Sequence, residues 1–139
     1  MSKAPTFTLI HTQTKANWSL DQFAGKAVML TFWTSWCPDS RVDLSYKQRL
    51  FQVMDQTKLH MLMINVTARE RIEHIEAFVK DQGYSFPVLQ DDGRTVYDAY
   101  GCKGVPTTVL LDRDHQIIAT YGDQASFQEI TTGLAPLIT

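Results

Sequence analysis

Apolar and polar positions fall into blocks along the chain. Two continuous apolar runs stand out, Ala27-Val28-Met29-Leu30-Thr31-Phe32 and Leu59-His60-Met61-Leu62-Met63-Ile64-Asn65-Val66. Runs of that length read as strands covered on both faces. Shorter extended pieces are predicted at Thr6–Ile10, at Phe86-Pro87-Val88-Leu89 and in a hairpin, Thr107–Leu111 with Gln116–Tyr121, closed by the polar turn Asp112–His115. Trp18 returns toward the core after a polar turn over residues 11–17.

Helical spacing separates these strands. A long helix is predicted from Pro38 to about Gln56, with Val42, Tyr46, Leu50, Val53 and Met54 as its inward stripe. Three capping boxes mark helix starts: Ser19…Gln22, Thr67…Glu70 and Ser126…Glu129. The second opens a helix with Ile72, Ile75, Phe78 and Val79 inward, a surface Glu76–Lys80 pair, and Gly83 past its end. The third opens a last helix with Ile130, Leu134 and Leu137 inward, and a short helix spans residues 94–100. The order predicts an α/β fold: one mixed central sheet, helices on both faces, and an N-terminal hairpin extension. At 139 residues the chain is expected to be one domain, 1–139.

Composition narrows the classes. The hydrophobic share is 44% and the net charge −2, so nothing points to nucleic acid. No apolar run reaches the roughly 20 residues of a membrane helix, and the first six residues lack a signal-peptide core. A cytoplasmic protein, or one whose upstream anchor has been removed, fits equally. The two cysteines, Cys37 and Cys102, are too few for a disulfide framework, and no Cys/His cluster has zinc spacing. His11, His60, His74 and His115 are scattered and read as surface or turn residues.

Cys37 lies where the first buried strand hands over to the long helix. Free N–H groups and the helix dipole favour an anion there, so a thiol ionises more readily and the thiolate is the nucleophile. Arg41 favours that anion and Asp39 opposes it. Pro38 suits the first helical position.

Phe32-Trp33-Thr34-Ser35-Trp36-Cys37-Pro38-Asp39-Ser40 resembles the Trp-Cys-x-x-Cys site of thioredoxin-fold proteins, and more narrowly the TlpA-like branch of thiol–disulfide oxidoreductases. The resemblance implies a thioredoxin fold and, for bacterial members, anchoring outside the cytoplasm. It implies a cis bond before Pro106, in Gly104-Val105-Pro106-Thr107-Thr108, with the Val105 backbone pairing an extended substrate beside Trp36 and Pro38. It also implies an aromatic shield from Trp33 and Trp36, and proton transfer by Asp43, where a solvated helix residue is the plainer alternative.

Ser40 departs from the pattern by standing where the family has its resolving cysteine. Serine can donate a hydrogen bond to the thiolate but cannot open a mixed disulfide. Either the protein is naturally monothiol, or a dithiol parent has had that cysteine replaced. Cys102, four residues before Pro106, lies within at most about 13–14 Å of it along extended chain and reads as a buried, unreactive thiol rather than a stand-in. The expected function is disulfide exchange through Cys37, with Ser40, Pro106 and Asp43 at the catalytic centre. Disulfide- or thiol-bearing proteins would be the clients, an external thiol the reductant, and the protein a monomer; no metal or organic cofactor is implied. The alternatives are a module that binds extended clients without turnover, and a peroxidase. The peroxiredoxin Pro-x-x-x-Thr/Ser-x-x-Cys signature is missing before Cys37.

Overall fold

The structure is a computed structural model that describes residues 2–139, with Arg69 described for its backbone only. Among the described residues there are seven strands: β1 (Thr8–His11), β2 (Asn17–Ser19), β3 (Ala27–Trp33), β4 (Leu59–Asn65), β5 (Val88–Gln90), β6 (Thr107–Leu111) and β7 (Ile117–Tyr121). They form one mixed sheet in the order β2-β1-β5-β4-β3-β6-β7. β3, β4 and β5 run parallel, and the remaining pairs are antiparallel. Four helices accompany them: α1 (Pro38–Val53), α2 (Ile72–Gln82), α3 (Thr95–Ala99) and α4 (Phe127–Ile138). No helix among the described residues is long and apolar enough to cross a membrane.

β3 is buried at every position. Its side chains alternate between two cores. Val28, Leu30 and Phe32 pack with Val96 and Tyr100 of the α3 region and with Leu20 and Phe7 near the N-terminus. Ala27, Met29 and Trp33 pack with Leu44 of α1, Ile75 and Val79 of α2, and Ile130 and Leu134 of α4. The expected mixed sheet with both faces covered is therefore what forms. The Ser19 and Ser126 capping boxes both form, the first on a short 3-10 turn and the second on α4. Gly83 closes α2 with φ of 70°, a left-handed conformation that glycine adopts without strain.

Several expectations need correction. The first strand starts later, at Thr8, and α1 ends earlier, at Val53. The inward face of α1 is Ser40, Leu44 and Lys47, whereas Val42 (58%), Tyr46 (43%) and Val53 (82%) are exposed. Two apolar stripes run along this helix, and the one interrupted by a lysine is the buried one. Thr67…Glu70 caps nothing: residues 67–69 form a 3-10 turn, α2 begins at Ile72, and Ile72 itself is exposed. Thr67 instead donates its hydroxyl to the Asp91 carbonyl at 2.6 Å. Glu76 pairs with Lys15 across the surface rather than with Lys80.

The two stripes of α1 make opposite predictions. Leu44→Ala should cost about 2–5 kcal/mol in thermal or denaturant unfolding, since it opens a cavity in a closed core. Val53→Ser should stay within about 0.5 kcal/mol. Equal losses at the two positions would contradict this orientation of the helix.

Candidate active site

Cys37 is the N-cap of α1, in an extended conformation (φ −87°, ψ 118°), with Pro38 following in the first turn. Its carbonyl accepts the Arg41 N–H at 3.1 Å, the first bond of the helix. The thiol is half-buried, and its Sγ lies 3.7 Å from the Val105 carbonyl oxygen, 68 residues away in sequence. The Val105–Pro106 peptide is cis. Thr107 donates its hydroxyl to the Gly104 carbonyl at 2.6 Å and so pins the turn that carries Val105. Cys37 opens into a cleft of about 400 Å³ walled by Thr34, Trp36, Val66, Tyr97 and Val105.

The segment between β3 and Cys37 is tied at three atoms of one residue. The Ser35 N–H donates to the Glu70 carboxylate at 3.1 Å, and the Ser35 hydroxyl donates to the same group. Arg41 donates its Nε–H to the Ser35 carbonyl at 2.7 Å. Glu70 in turn accepts from Asn65 Nδ2, at the end of β4, at 2.7 Å. Charge-assisted bonds such as these are the stronger kind. Glu70 drew attention in the sequence only as half of a capping box; its partners are Ser35 and Asn65 because both bring donors the fold leaves unpaired.

Ser40 is fully buried one turn into α1. Its hydroxyl accepts the Thr34 N–H at 3.4 Å, and among the described residues no hydrogen bond joins it to Cys37. Of Trp33 and Trp36, only Trp36 borders the sulfur cleft, and it is 56% exposed. Trp33 points to the opposite side of the strand's end and packs on Phe78 with ring centroids 5.8 Å apart, so it belongs to the core.

Asp43 is not a solvated helix residue. It pairs with Lys47 at 2.8 Å, one turn on, and its side chain is 12% exposed. Lys47 is completely buried. Its Nζ also donates to Thr31 Oγ1 at 2.8 Å and to Thr108 Oγ1. Thr31 and Thr108 face each other across the β3–β6 ladder, so the two hydroxyls form one cradle. Burial pushes the Lys47 ammonium below the ordinary lysine range, and Asp43 opposes that by its charge and hydrogen bond. Three acceptors surround the three N–H donors that only the charged form possesses. Lys47 had no signal as an apolar position, yet its spacing from Ser40 and Leu44 puts it on their face. Asp43 borders a second cleft of about 630 Å³, together with Asp39, Tyr46, Pro106 and Thr108, and Asp123 borders both clefts.

With this geometry in hand the chain can be compared with known proteins. The AhpC/TSA family pattern matches residues 1–121. The chain belongs to the AhpC/TSA family. Among its curated relatives, thiol-disulfide oxidoreductase ResA of Bacillus subtilis is 31% identical over 117 residues, 84% of this chain and 64% of that protein. ResA of Geobacillus thermodenitrificans is 30% identical over 116 residues, 84% of this chain and 65% of that protein. The chain thus spans somewhat under two-thirds of the length of these relatives. A thiol-disulfide isomerase of Corynebacterium glutamicum superposes with a TM-score of 0.84 at 19% identity, covering 98% of this chain and 97% of that one. The fold is thioredoxin-like, and the TlpA-like resemblance of the Cys37 motif is matched by relatives of the ResA kind.

Cys102, the other thiol of this AhpC/TSA chain, is half-buried beside Tyr97 and Tyr100. Burial pushes it up to about 11, with the Thr107 hydrogen bond working the other way. Its neutral form is the stable one throughout the neutral range, and the thiolate appears only as pH climbs toward that value. Iodoacetamide at neutral pH should therefore label Cys37 and spare Cys102, with Cys102 labelled on denaturation or in strong alkali; peptide mass mapping reads both. Equal labelling of the native protein at neutral pH contradicts this assignment.

Proposed function

We propose that this protein is a thiol–disulfide oxidoreductase that works through a single nucleophilic cysteine. The observation that carries the reading is Cys37 Sγ at the start of α1, open to a cleft and 3.7 Å from the Val105 carbonyl, with a serine where a second thiol would stand. The names of the ResA relatives support the reaction class.

The Cys37 thiolate attacks one sulfur of a client disulfide. A Cys37–client S–S bond forms, the client S–S bond breaks, and the released sulfur leaves as a thiolate that takes up a proton. An external thiol then loses its proton and attacks the client sulfur of the mixed disulfide. That restores the Cys37 thiolate and leaves the client sulfur bonded to the external one. Ser40 takes no part in bond exchange. Val105 offers its backbone to an extended client segment, and exposed Trp36 and Pro38 give that segment an apolar wall. Attachment outside the cytoplasm, as the TlpA-like resemblance implies, belongs to the same reading.

Intact mass spectrometry tests the site. Incubation with 2-hydroxyethyl disulfide should yield one mercaptoethanol adduct on the wild type and none on Cys37→Ser. Ser40→Cys should lose the adduct and form an internal bridge, since it supplies the missing second thiol one turn away. An adduct that persists on Cys37→Ser sinks the single-cysteine reading. Adduct formation without any thiol-dependent turnover favours the alternative, a module that grips extended clients.

A further inference from the structure

The cleft beside Cys37 carries one charge of each sign, and the exchange chemistry described so far uses neither. Among the described residues that line it, Arg94 is the only cation and Asp123 the only carboxylate. Trp36, Val66, Ala68, Tyr97 and Val105 make much of the remaining wall apolar. Arg94 is the N-cap of α3. Its Nε–H donates to the Asp98 carboxylate at 3.0 and 3.2 Å, one turn on. Its Cζ lies over the Tyr97 ring, 5.1 Å from the centroid. Two partners on one short helix thus hold the side chain in place. A guanidinium has five N–H donors in a fixed fork, and Nε supplies one of them. Those on the Nη nitrogens have no hydrogen-bond partner among the described residues. Asp98 does not line the cleft and is more than half exposed, so water screens its charge. Asp123 is exposed and follows β7. A cleft of about 400 Å³ holds one small molecule, so both charges face the same occupant.

We propose that this cleft is a subsite for a small amino-acid thiol held in disulfide with Cys37, its carboxylate on the Arg94 guanidinium and its ammonium toward Asp123. The proposal rests on the single-cysteine reading and names the small-molecule half of that exchange. The Cys37 thiolate attacks the amino-acid sulfur of a disulfide. A Cys37–amino-acid S–S bond forms, the original S–S bond breaks, and the other half leaves as a thiolate that takes a proton from water. A second molecule of the amino-acid thiol loses its proton to water and attacks the sulfur of the bound half. The amino-acid disulfide departs and the Cys37 thiolate returns. In sum the incoming thiol is oxidised, the leaving half is reduced, and one proton is lost and one gained. Apolar walls alone would accept any short aliphatic thiol. The two charges select a molecule that bears both an ammonium and a carboxylate over one that bears either alone.

The test is the rate at which the protein forms its Cys37 adduct with four symmetric disulfides, read by intact mass spectrometry. Cystine carries both charges, cystamine only the ammonium, dithiodipropionate only the carboxylate, and 2-hydroxyethyl disulfide neither. Each rate is divided by that of the same disulfide with free 2-mercaptoethanol, which removes differences between the leaving thiols. After that correction cystine should react about three- to tenfold faster than cystamine, and likewise than dithiodipropionate, on the scale of charge-assisted contacts at an accessible site. Arg94→Gln should bring the cystine-to-cystamine ratio to about one, and Arg94→Lys, which keeps the charge but not the fork, should retain part of it. Asp123→Asn should bring the cystine-to-dithiodipropionate ratio to about one. Arg113→Gln removes a cation beyond the opposite end of β6 from Val105 and should leave both ratios within about twofold of wild type. Arg94 and Asp123 are exposed, so their variants should unfold at the wild-type temperature. Should Arg94→Gln fail to fold, Asp123→Asn decides the proposal alone. Adducts that form without either preference overturn the proposal and leave the exchange reading standing, as does a preference that survives its substitution or is lost equally in Arg113→Gln. Wild-type protein that forms no adduct with any of the four overturns the exchange reading itself, and this inference with it.

Discussion

A strand covered on both faces leaves its chain no freedom until it exits the sheet, and β3 is such a strand. It is paired to β4 over its whole length on one edge and to β6 on the other. Backbone and side chains alike are therefore fixed up to Trp33. The next residues must turn out of the sheet and start a helix within four positions, and their backbone polar groups need partners. Ser35 finds Glu70 and Arg41, and Thr34 gives its N–H to Ser40. Hydrogen bonds to charged groups contribute about 1.5–3 kcal/mol each. Cys37 is held at the head of α1 by this short, well-anchored bridge, and the same sheet brings Val105 to it from the far side of β6.

The Lys47–Asp43 pair sits badly with any account in terms of stability alone. Breaking a buried ion pair by removing one partner costs about 3–5 kcal/mol, yet replacing both by apolar groups is often neutral or favourable. A leucine or methionine at position 47 would suit the core around Leu44 at least as well. What apolar residues cannot do is fix the rotation of α1 against the β3–β6 ladder by two directed hydrogen bonds, to Thr31 and Thr108. They also cannot hold a carboxylate at a cleft wall. The arrangement makes sense where orientation matters more than net free energy.

Much of the fold could be read from the sequence because its strongest signals are physical necessities. The doubly covered strands needed continuous apolar runs, and the capping boxes at Ser19 and Ser126 met donors that nothing else satisfies. Where the reading failed, a polar residue had a better partner than the local pattern supplied. Lys47 reads as solvent-facing, so α1 was expected to turn its Val42–Tyr46–Val53 stripe inward; the cradle of Thr31 and Thr108 reverses this. Glu70 fits a capping box with Thr67, but Ser35 and Asn65 outbid that local bond. Cys37, Val105 and Asp43 stood out by motif. Lys47 and Glu70 did not, because their roles exist only once distant strands have met.

The two sulfur-related oddities, Ser40 and Cys102, bear on the same step from opposite sides. Position 40 is fully buried and its hydroxyl is turned to the Thr34 amide, so it offers the mixed disulfide neither a sulfur nor a nearby donor. Cys102 has the sulfur, but its burial keeps the proton on, and a protonated thiol does not attack. No second thiol of the chain is then suited to open the Cys37 bond. On the single-cysteine reading, resolution falls to a thiol that arrives through the cleft at Trp36 and Val105, whose volume of about 400 Å³ lies in the range of small-molecule sites. A site built this way gives up intramolecular speed, and its rate depends on how readily the incoming thiol can shed its proton.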